Sequence, residues 1–300
     1  MSRYIYTMIS SYKVYIGDIH GSMTKFEAML RHPAVERVVQ RRMPGSIILT
    51  GDYMDRGHWG IEVFQKVKEL TEKGVAVPLA GNHDRMFINA MYYRQAETRW
   101  RQLGGSSFIS EAQNKFKSYG RIYECNSLWD IANWMKQNLS LYNIDENGVF
   151  SMHAELPVKR NGTIDLERQY PQYRGMVALD VLKTIEASML HYPNAEEGYD
   201  PGFDKIFWET NQYRFLGETA IDILLGQLGA SAIVCGHTPN WPGAHIKLSQ
   251  RTFGKINMID YSMIFGAGGF LVFDPMKGIS AYTFIRDSDR EFEETRITLS

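Results

Sequence analysis

The sequence predicts an α/β fold, in which strands and helices alternate along the chain. Short apolar runs typical of buried strands recur through the 300 residues, and segments with the apolar spacing of amphipathic helices lie between the first three of them. This alternation predicts parallel pairing of those three strands, because a crossover helix returns the chain to the same end of a sheet. The predicted strands are Val14–Ile16, Ile47–Thr50, Val75–Leu79, Val149–Met152, Ala232–Cys235, Ile256–Ile259 and Phe270–Phe273.

Apolar residues three or four positions apart predict the helices between these strands. Phe26 and Met29 share one face of the segment TKFEAMLRHPAVERVVQRR, which follows the first strand. Phe64 and Val67 belong to a similar stripe after the second strand, and Gly74 is expected to end that helix.

Residues 85–148 carry almost no strand signal and are predicted to be helical. Because candidate site residues fall on both sides of this stretch, we interpret it as a helical insertion that forms a cap within a single domain of residues 1–300. The acidic stretch 194–200 is expected to be a solvated loop, and the glycines of 265–270 are expected to form a turn between strands.

The composition argues against several classes of protein. The 33 basic and 34 acidic residues give a net charge of −1, which argues against an extended nucleic-acid surface. Neither a membrane span of ~18–20 apolar residues nor a signal peptide is recognisable. With only Cys125 and Cys235, no disulfide framework is expected, so a cytoplasmic location fits best. Neither cysteine begins a Cys-x5-Arg thiol phosphatase loop, because Ile131 and Trp241 occupy the arginine position.

Five of the predicted strands end in short polar motifs. These motifs are GDIHG (17–21), GDYMDRG (51–57), GNHD (81–84), the single His153, and GHT (236–238). The carboxyl ends of strands in α/β sheets line a common crevice, so these groups are expected to meet although they are far apart in sequence. The glycines allow the backbone to turn sharply where each strand ends.

The side chains of these motifs offer oxygen and imidazole ligands and no thiolate. Such a set suits divalent manganese, iron or zinc. Six ligands exceed what one catalytic ion takes if it keeps a position open for water. We therefore predict two ions about 3.5–4 Å apart, which share Asp52 and leave room for a bridging hydroxide. The six candidate metal ligands are Asp18, His20, Asp52, Asn82, His153 and His237.

A departing alkoxide also needs a proton, which predicts a general acid beside the metals. His83 follows Asn82 in the chain and is predicted to take this role. Asp55 would hold the His83 ring and favour its protonated form. The guanidinium of Arg56 has a planar fork of donors that suits phosphoryl oxygens.

These motifs, in this order, resemble those of the metallophosphoesterases, the calcineurin-like superfamily. GDYMDRG narrows the resemblance to the phosphoprotein phosphatases, including bacterial and phage members, and to the related symmetrical diadenosine tetraphosphatases. WRQLGGSSF (100–108) is similar to the WLxxGGxxT of bacterial members, and INMIDYSMIFGAGGFLVFD (256–274) to the family's final strand pair. The resemblance implies a central β-sandwich of two mixed sheets flanked by helices.

The resemblance also implies roles for individual residues. The first metal would be bound by Asp18, His20 and Asp52, and the second by Asp52, Asn82, His153 and His237. Asp55 and His83 would form the acid pair, while Arg56 and Asn82 would contact the substrate. Manganese is the expected metal, with iron, zinc, nickel or cobalt as alternatives.

The sequence departs from the family pattern at three places. Pro239 stands where many phosphodiesterases carry the second histidine of GHTH, which favours the phosphomonoesterase branch. Glu155 stands where the family has a glycine two residues after His153. Thr210 stands where a second phosphate-binding arginine is expected in Trp-x-Arg, and Arg214 is the candidate replacement.

Together these inferences predict a two-metal phosphatase. A hydroxide that bridges the ions would attack phosphorus in line, Arg56 would neutralise charge on the phosphoryl group, and His83 would protonate the leaving oxygen. The expected substrate is a phosphoprotein carrying phosphoserine, phosphothreonine or phosphotyrosine, or a phosphorylated small molecule. The alternatives are a hydrolase of dinucleoside polyphosphates such as diadenosine tetraphosphate, and an inactive module that binds a phosphorylated partner.

Overall fold

Two mixed β-sheets flanked by helices make up the part of the chain that the structure describes. This computed structural model describes residues 11–190, 205–210, 212–239, 242–260, 263, 268–284 and 291–297. The strands of these residues are β1 (Lys13–Ile16), β2 (Ile47–Leu49), β3 (Ala76–Pro78), β4 (Tyr142–Ile144), β5 (Val149–Met152), β6 (Ala232–Cys235), β7 (Ile256–Met258), β8 (Gly269–Asp274), β9 (Gly278–Phe284) and β10 (Phe292–Ile297). Over the same residues, one sheet has the order β10-β9-β8-β1-β2-β3 and the other β4-β5-β6-β7.

Helices lie between and after these strands. The α-helices of the described residues are α1 (Met23–Arg31), α2 (Pro33–Gln40), α3 (Gly60–Glu72), α4 (Asn82–Tyr92), α5 (Arg94–Trp100), α6 (Ser106–Phe116), α7 (Asn126–Asn138), α8 (Ala178–Leu190), α9 (Glu218–Leu228) and α10 (Pro242–Arg251). In none of these described helices is there a stretch long and apolar enough to cross a membrane.

The strands that precede the polar motifs run parallel within each sheet. β1, β2 and β3 are parallel, as the strand–helix alternation predicted, and so are β5, β6 and β7. Hydrogen bonds join the strand ends of the two sheets: His153 Nδ1 donates to the Thr50 carbonyl at 2.8 Å, and the His237 amide donates to Asp18 at 3.1 Å. The predicted α/β fold with two mixed sheets is confirmed.

An apolar layer fills the space between the two sheets. Tyr15 and Ile48 of the first sheet are fully buried in one cluster with Val234 of the second. Ile16 belongs to a separate cluster that includes the helices, because successive side chains of a strand point to opposite faces. The Tyr15 hydroxyl donates to Asp145 in the turn between β4 and β5, so the buried phenol has a partner and ties one sheet to the other.

The first helical pattern forms two helices instead of one, because Pro33 interrupts it. His32 is extended, as expected for a residue before proline. Pro33 then begins α2 at the position where its missing N–H loses no intrahelical bond. His32 Nδ1 accepts from the Ala34 amide at 3.2 Å. The second pattern forms α3, and Gly74, with φ of 70°, follows it as predicted.

Helices α4 to α7 occupy most of the stretch predicted to be a helical insertion. The predicted range of 85–148 differs from the structure at both ends, since α4 already begins at Asn82 and β4 lies within the range. β4 has three residues, none of them buried, at an edge of its sheet. Such an edge strand carries little apolar signal. A single domain with an inserted cap stays a prediction.

Two further strands were missed by the apolar pattern. In β9 the sequence GISAYTF mixes small and polar residues, and β10 is a largely exposed edge strand with the sequence FEETRI. The loop expected at 194–200 lies outside the described residues, as do residues 265–267 of the expected glycine turn.

Glu111 of α6 holds the first turn of α3, directly after the GDYMDRG motif. Its carboxyl group accepts from the Gly60 amide at 2.7 Å and from the Ile61 amide at 2.9 Å. Burial, followed by the hydrogen bond to Glu62, raises the pKa of Glu111 to about 8. Since Lys115 binds Glu62 at 2.6 Å, the two carboxyl groups share one proton at neutral pH, with Glu62 ionised.

This carboxyl pair predicts a pH dependence of stability. A carboxyl group whose pKa is raised on folding stabilises the native state below its unfolded pKa of 4.5, and that stabilisation is lost as the pH rises through about 8. We expect this group to lower Tm by about 2–4 °C between pH 5 and pH 9. The Glu111→Gln variant should lack that part of the fall, whereas Glu36→Gln, at an exposed position of α2, should keep it. Equal pH slopes of Tm in wild type and Glu111→Gln would contradict the shared proton.

Candidate functional site

The candidate site lies where the carboxyl ends of the parallel strands meet. The structure brings together all six predicted metal ligands: Asp18 and His20 after β1, Asp52 after β2, Asn82 after β3, His153 after β5 and His237 after β6. All except the partly buried His237 are buried. Polar side chains withdrawn from water in this way need partners, so their arrangement decides what the site can bind.

Asp52 belongs to both groups of side chains that are placed to hold a metal ion. One group joins it to His20 and His83, and the other to His153 and His237, with the ligand atoms of each group within 4.8 Å of one another. Asp52 Oδ2 lies 3.5 Å from His20 Nε2, and Oδ1 lies 3.6 Å from His153 Nε2. The two oxygens of one carboxylate thus face different groups, so Asp52 could contribute a ligand to each of them.

In the second group, unprotonated nitrogens and an amide oxygen converge. His153 Nδ1 donates to the Thr50 carbonyl, which leaves Nε2 as an acceptor. That Nε2 lies 2.9 Å from Asn82 Oδ1 and 3.2 Å from His237 Nδ1. Burial lowers the pKa of His153, and it lowers the pKa of His237 to about 3. Neutral imidazoles and an amide oxygen are the forms in which these side chains bind a cation, so the group fits one.

A positive charge would also be favourable next to Asp18 and His20. Burial, and then the carboxylates of Asp260 and Asp52, raise the pKa of Asp18 well above its usual value. A cation beside Asp18 would oppose this effect and keep it ionised. Burial also lowers the pKa of His20 well below its usual value, so the ring is neutral. Within the described residues, His20 Nδ1 is buried without a hydrogen-bond partner.

Both ring nitrogens of His83 already have partners. Nδ1 donates to Asp55 Oδ2 at 2.8 Å, and the guanidinium of Arg56 donates to Nε2 at 2.8 Å. Burial opposes a charge on this ring, but Asp52 and Asp55 outweigh it and raise the pKa of His83 above its usual value. By distance His83 belongs to the first group, but both of its ring nitrogens are engaged, and its raised pKa distinguishes it from His20, His153 and His237.

The WRQLGG stretch after α4 reaches this histidine–aspartate pair, a contact that sequence reasoning did not assign. Trp100 is fully buried and donates through Nε1 to Asp55 Oδ2 at 2.6 Å. The Arg56 amide donates to the Gly104 carbonyl at 3.2 Å. A Cβ on Gly104 would lie 2.7 Å from the Arg56 side chain, and one on Gly105 would lie 2.4 Å from the Trp100 ring. The glycine pair therefore lets this stretch pack against the site.

Asp84 fixes the ends of β2 and β3 relative to each other. Its carboxyl group accepts from the amides of Asp52 at 2.7 Å, Tyr53 at 3.1 Å and Gly81 at 2.9 Å. Asp84 is the last residue of the GNHD motif. The backbone contacts that reveal this role cannot be read from the motif.

The backbone is strained at several residues of the candidate site. Among the described residues, seven non-glycine residues have positive φ, and four of them are His20, Asp52, Arg56 and His237. Such conformations cost about 1 kcal/mol or more each and persist where the surrounding structure enforces them. Gly81 is required for a different reason, the lack of space for a side chain: a Cβ there would lie 2.1 Å from Asp52 Oδ1.

The unexpected Glu155 is a buried link between two loops. Oε2 accepts from the Tyr213 amide at 2.7 Å, and Oε1 accepts from the Thr238 hydroxyl at 3.1 Å. Glu155 thereby joins the segment around residue 210 to the GHT motif.

The two positions considered for a second arginine lie apart. Thr210 lines a cavity that adjoins Asn82. Arg214 lies beside His245 of α10, and burial, followed by the Arg214 charge, lowers the pKa of His245 to about 4. The backbone carbonyl of Arg214 accepts a hydrogen bond from the Arg251 side chain. A part for Arg214 in substrate binding stays a prediction.

Four cations line the cavity beside Asn82, and sequence reasoning found none of them. The cavity has a volume of about 740 Å³, and its cationic side chains are Arg85, Arg99, Arg168 and Lys205. These residues come from α4, α5 and the region between β5 and α9. No motif marks them, because only the fold brings them to one place.

Two curated relatives align with about two thirds of the chain. One is the symmetrical bis(5'-nucleosyl)-tetraphosphatase of Aliivibrio fischeri, which is 24% identical over 208 residues, or 67% of this chain and 64% of that protein. The other is serine/threonine-protein phosphatase 7 of Arabidopsis thaliana, which is 26% identical over 205 residues, or 63% and 43%. The matched region is thus less than two thirds of either relative's length.

Solved structures of protein phosphatases share the fold. The cold-active protein-tyrosine phosphatase of a psychrophilic Shewanella superposes with a TM-score of 0.59 at 18% identity, covering 95% of this chain and 80% of that one. A protein serine/threonine phosphatase from Saccharomyces cerevisiae gives 0.55 at 17% identity, covering 98% and 82%. The profile of the calcineurin-like phosphoesterases matches residues 14–240. The chain belongs to the calcineurin-like phosphoesterase family.

Proposed function

We propose that the protein is a metal-dependent phosphatase that hydrolyses phosphomonoesters, with a phosphoserine or phosphothreonine protein as the leading substrate class and phosphotyrosine as a further one. The observation that carries the proposal is the convergence of two ligand groups on Asp52, next to the His83–Asp55 pair and Arg56. Metal ligands without an acid would fit a structural ion, whereas this combination fits an ester hydrolase.

The six-residue ligand set would hold two divalent cations, with manganese as the leading candidate. When bound, such ions supply a hydroxide nucleophile at neutral pH and neutralise charge on the phosphoryl oxygens. The protein's own part is to hold the ligands in place. Asp84 fixes Asp52, and the Thr50 carbonyl fixes the His153 ring through Nδ1.

His83 is the proposed general acid, and Arg56 controls access to it. Asp55 accepts from His83 Nδ1, so only Nε2 can deliver a proton to a leaving oxygen. In this structure Arg56 donates to that Nε2 at 2.8 Å and lies 3.0 Å from His20 Nε2. A phosphoryl group would draw the guanidinium to its oxygens, because charge-assisted pairs are stronger than bonds to neutral rings. His83 Nε2 would then be free to carry its proton.

Trp100 assists His83 indirectly. Its indole N–H and His83 Nδ1 both donate to Asp55 Oδ2, at 2.6 and 2.8 Å. Burial raises the pKa of Asp55, and these two hydrogen bonds oppose that rise and fix the direction of the carboxylate. We therefore infer that Trp100 positions Asp55, which in turn orients the acid.

A phosphoprotein leads as substrate because the cavity beside Asn82 is lined almost entirely by polar and charged side chains. Such a surface suits a solvated polypeptide segment better than a nucleobase. Dinucleoside polyphosphate hydrolysis is the second candidate, supported by the name of the Aliivibrio fischeri relative. Parallel assays of a phosphoserine peptide and diadenosine tetraphosphate with Mn²⁺ separate the two. An inactive binding module would retain metals but turn over neither compound.

Replacement of the proposed acid should slow turnover without removing the metals. We expect His83→Asn to keep two metals per chain and to lose about 10²–10⁴-fold in kcat on a phosphomonoester with a poor leaving group. Asp52→Asn should instead lose metal, since it removes the shared ligand. Metal analysis alongside steady-state kinetics measures both effects, with the exposed His58→Asn as control. Stoichiometric loss of metal in His83→Asn would show that His83 is a ligand.

Removal of the indole N–H should weaken the same step. We expect Trp100→Phe to lower kcat roughly tenfold, the effect of losing one hydrogen bond to a charged group, with metal content retained. Trp129→Phe is the matched control, because Trp129 Nε1 donates to the Tyr123 carbonyl at 2.9 Å within the helical stretch. If both variants lose activity equally, the effect is general destabilisation and the positioning role is refuted.

A further inference from the structure

The cavity beside Asn82 carries a positive charge that the proposed chemistry does not use. Arg85 lies one turn after Asn82 in α4, and Arg99, Arg168 and Lys205 complete the set of cations around the opening. Among the described lining residues the acidic one is Glu209, and Gln169 and Gln212 both donate to its carboxylate. The described residues of the lining therefore carry an excess of positive charge directly next to a candidate metal ligand.

Three of these cations are available to a ligand. Arg99, Arg168 and Lys205 are exposed, and within the described part of the chain none of them forms an ion pair with a carboxylate. Some other exposed cations are neutralised by a carboxylate, as Arg31 is by Glu27 at 2.6 Å. Unpaired cations from separate segments around one cavity attract an anionic group and orient it there.

The aromatic surface of the cavity does not favour a nucleobase. Trp208 is the aromatic residue of the lining. The guanidinium of Arg99 lies over its ring, 5.4 Å from the centroid, and the His237 ring meets it edge to face at 5.9 Å. Stacking of a base would require Arg99 to leave this position. An anionic side chain needs no such change, because it would bind the exposed donors of the guanidinium.

We propose that this cavity is a specificity subsite for an acidic residue, aspartate, glutamate or a second phosphorylated residue, that flanks the phosphorylated residue of a protein substrate. The inference rests on the proposed phosphatase function. An extended peptide advances about 3.3–3.6 Å per residue. With its phosphoryl group at the metal site, its neighbouring side chains therefore reach a cavity that begins at Asn82.

The experiment compares three phosphoserine peptides that differ only in the flanking residues, which are aspartate, alanine or lysine. The full chain is assayed with Mn²⁺, and the readout is the ratio of kcat/KM between the aspartate and alanine peptides. We expect a ratio of about 5–10 at low salt, as two or three exposed charge pairs provide. The ratio should fall as the ionic strength rises. The lysine peptide should be the poorest substrate.

Charge reversal locates the effect. In Arg99→Glu and Arg168→Glu the ratio should drop to about 1 or below. Arg31 is an exposed arginine of α1 outside the cavity, and Arg31→Glu should keep the wild-type ratio.

Loss of the preference for the aspartate peptide in Arg31→Glu as well would assign that preference to overall charge and overturn the subsite. Equal kcat/KM for the aspartate and alanine peptides in wild type would overturn the inference while leaving the phosphatase function intact. Hydrolysis of diadenosine tetraphosphate without turnover of any peptide would overturn the protein-phosphatase function, and the subsite with it.

Discussion

The carboxylate of Asp52 is the constraint on which the rest of the site depends. Its two oxygens face His20 and His153 on opposite sides, and Oδ1 also accepts from the His83 amide at 2.9 Å. Its backbone carbonyl accepts from the His20 amide, and Asp84 holds its own amide. Asp52, a single residue in the loop after β2, therefore sets the positions of the loops after β1 and β3. A buried carboxylate with this many partners cannot be moved without moving all of them.

This organisation is costly for stability. Four candidate site residues have a left-handed backbone, and burial combined with nearby carboxylates opposes the ionisation of Asp18. Sites that hold their groups in place before substrate arrives commonly store strain of this kind. The compensation comes from the fold: the apolar layer between the sheets and links such as Tyr15 to Asp145 hold the strand ends together. Binding of cations would relieve the electrostatic part, because it supplies the missing positive charge.

The sequence predicted those elements whose signal is local. Buried runs such as Ile47–Leu49 indicated the parallel strands, and the glycine-flanked polar residues that follow indicated the candidate metal ligands, which the structure brings together. β4 and β10 escaped notice because edge strands contain few apolar residues. The bond from Trp100 to Asp55 and the four cations of the cavity escaped because they depend on contacts between distant segments. Contacts between distant segments produce no periodic pattern in the sequence, so they could not be predicted from it.

The contacts of Trp100 and Gly104 join the helical stretch after β3 to the candidate site. The proposed acid pair, His83 and Asp55, is held on one side by the loops that follow the strands and on the other by this helical stretch. Local opening of α5 and the adjoining turn would release Asp55 and Arg56 while the sheets stayed intact. The protein would then lose activity at a lower temperature than its Tm. The difference between the two temperatures would measure the local stability of that helical stretch.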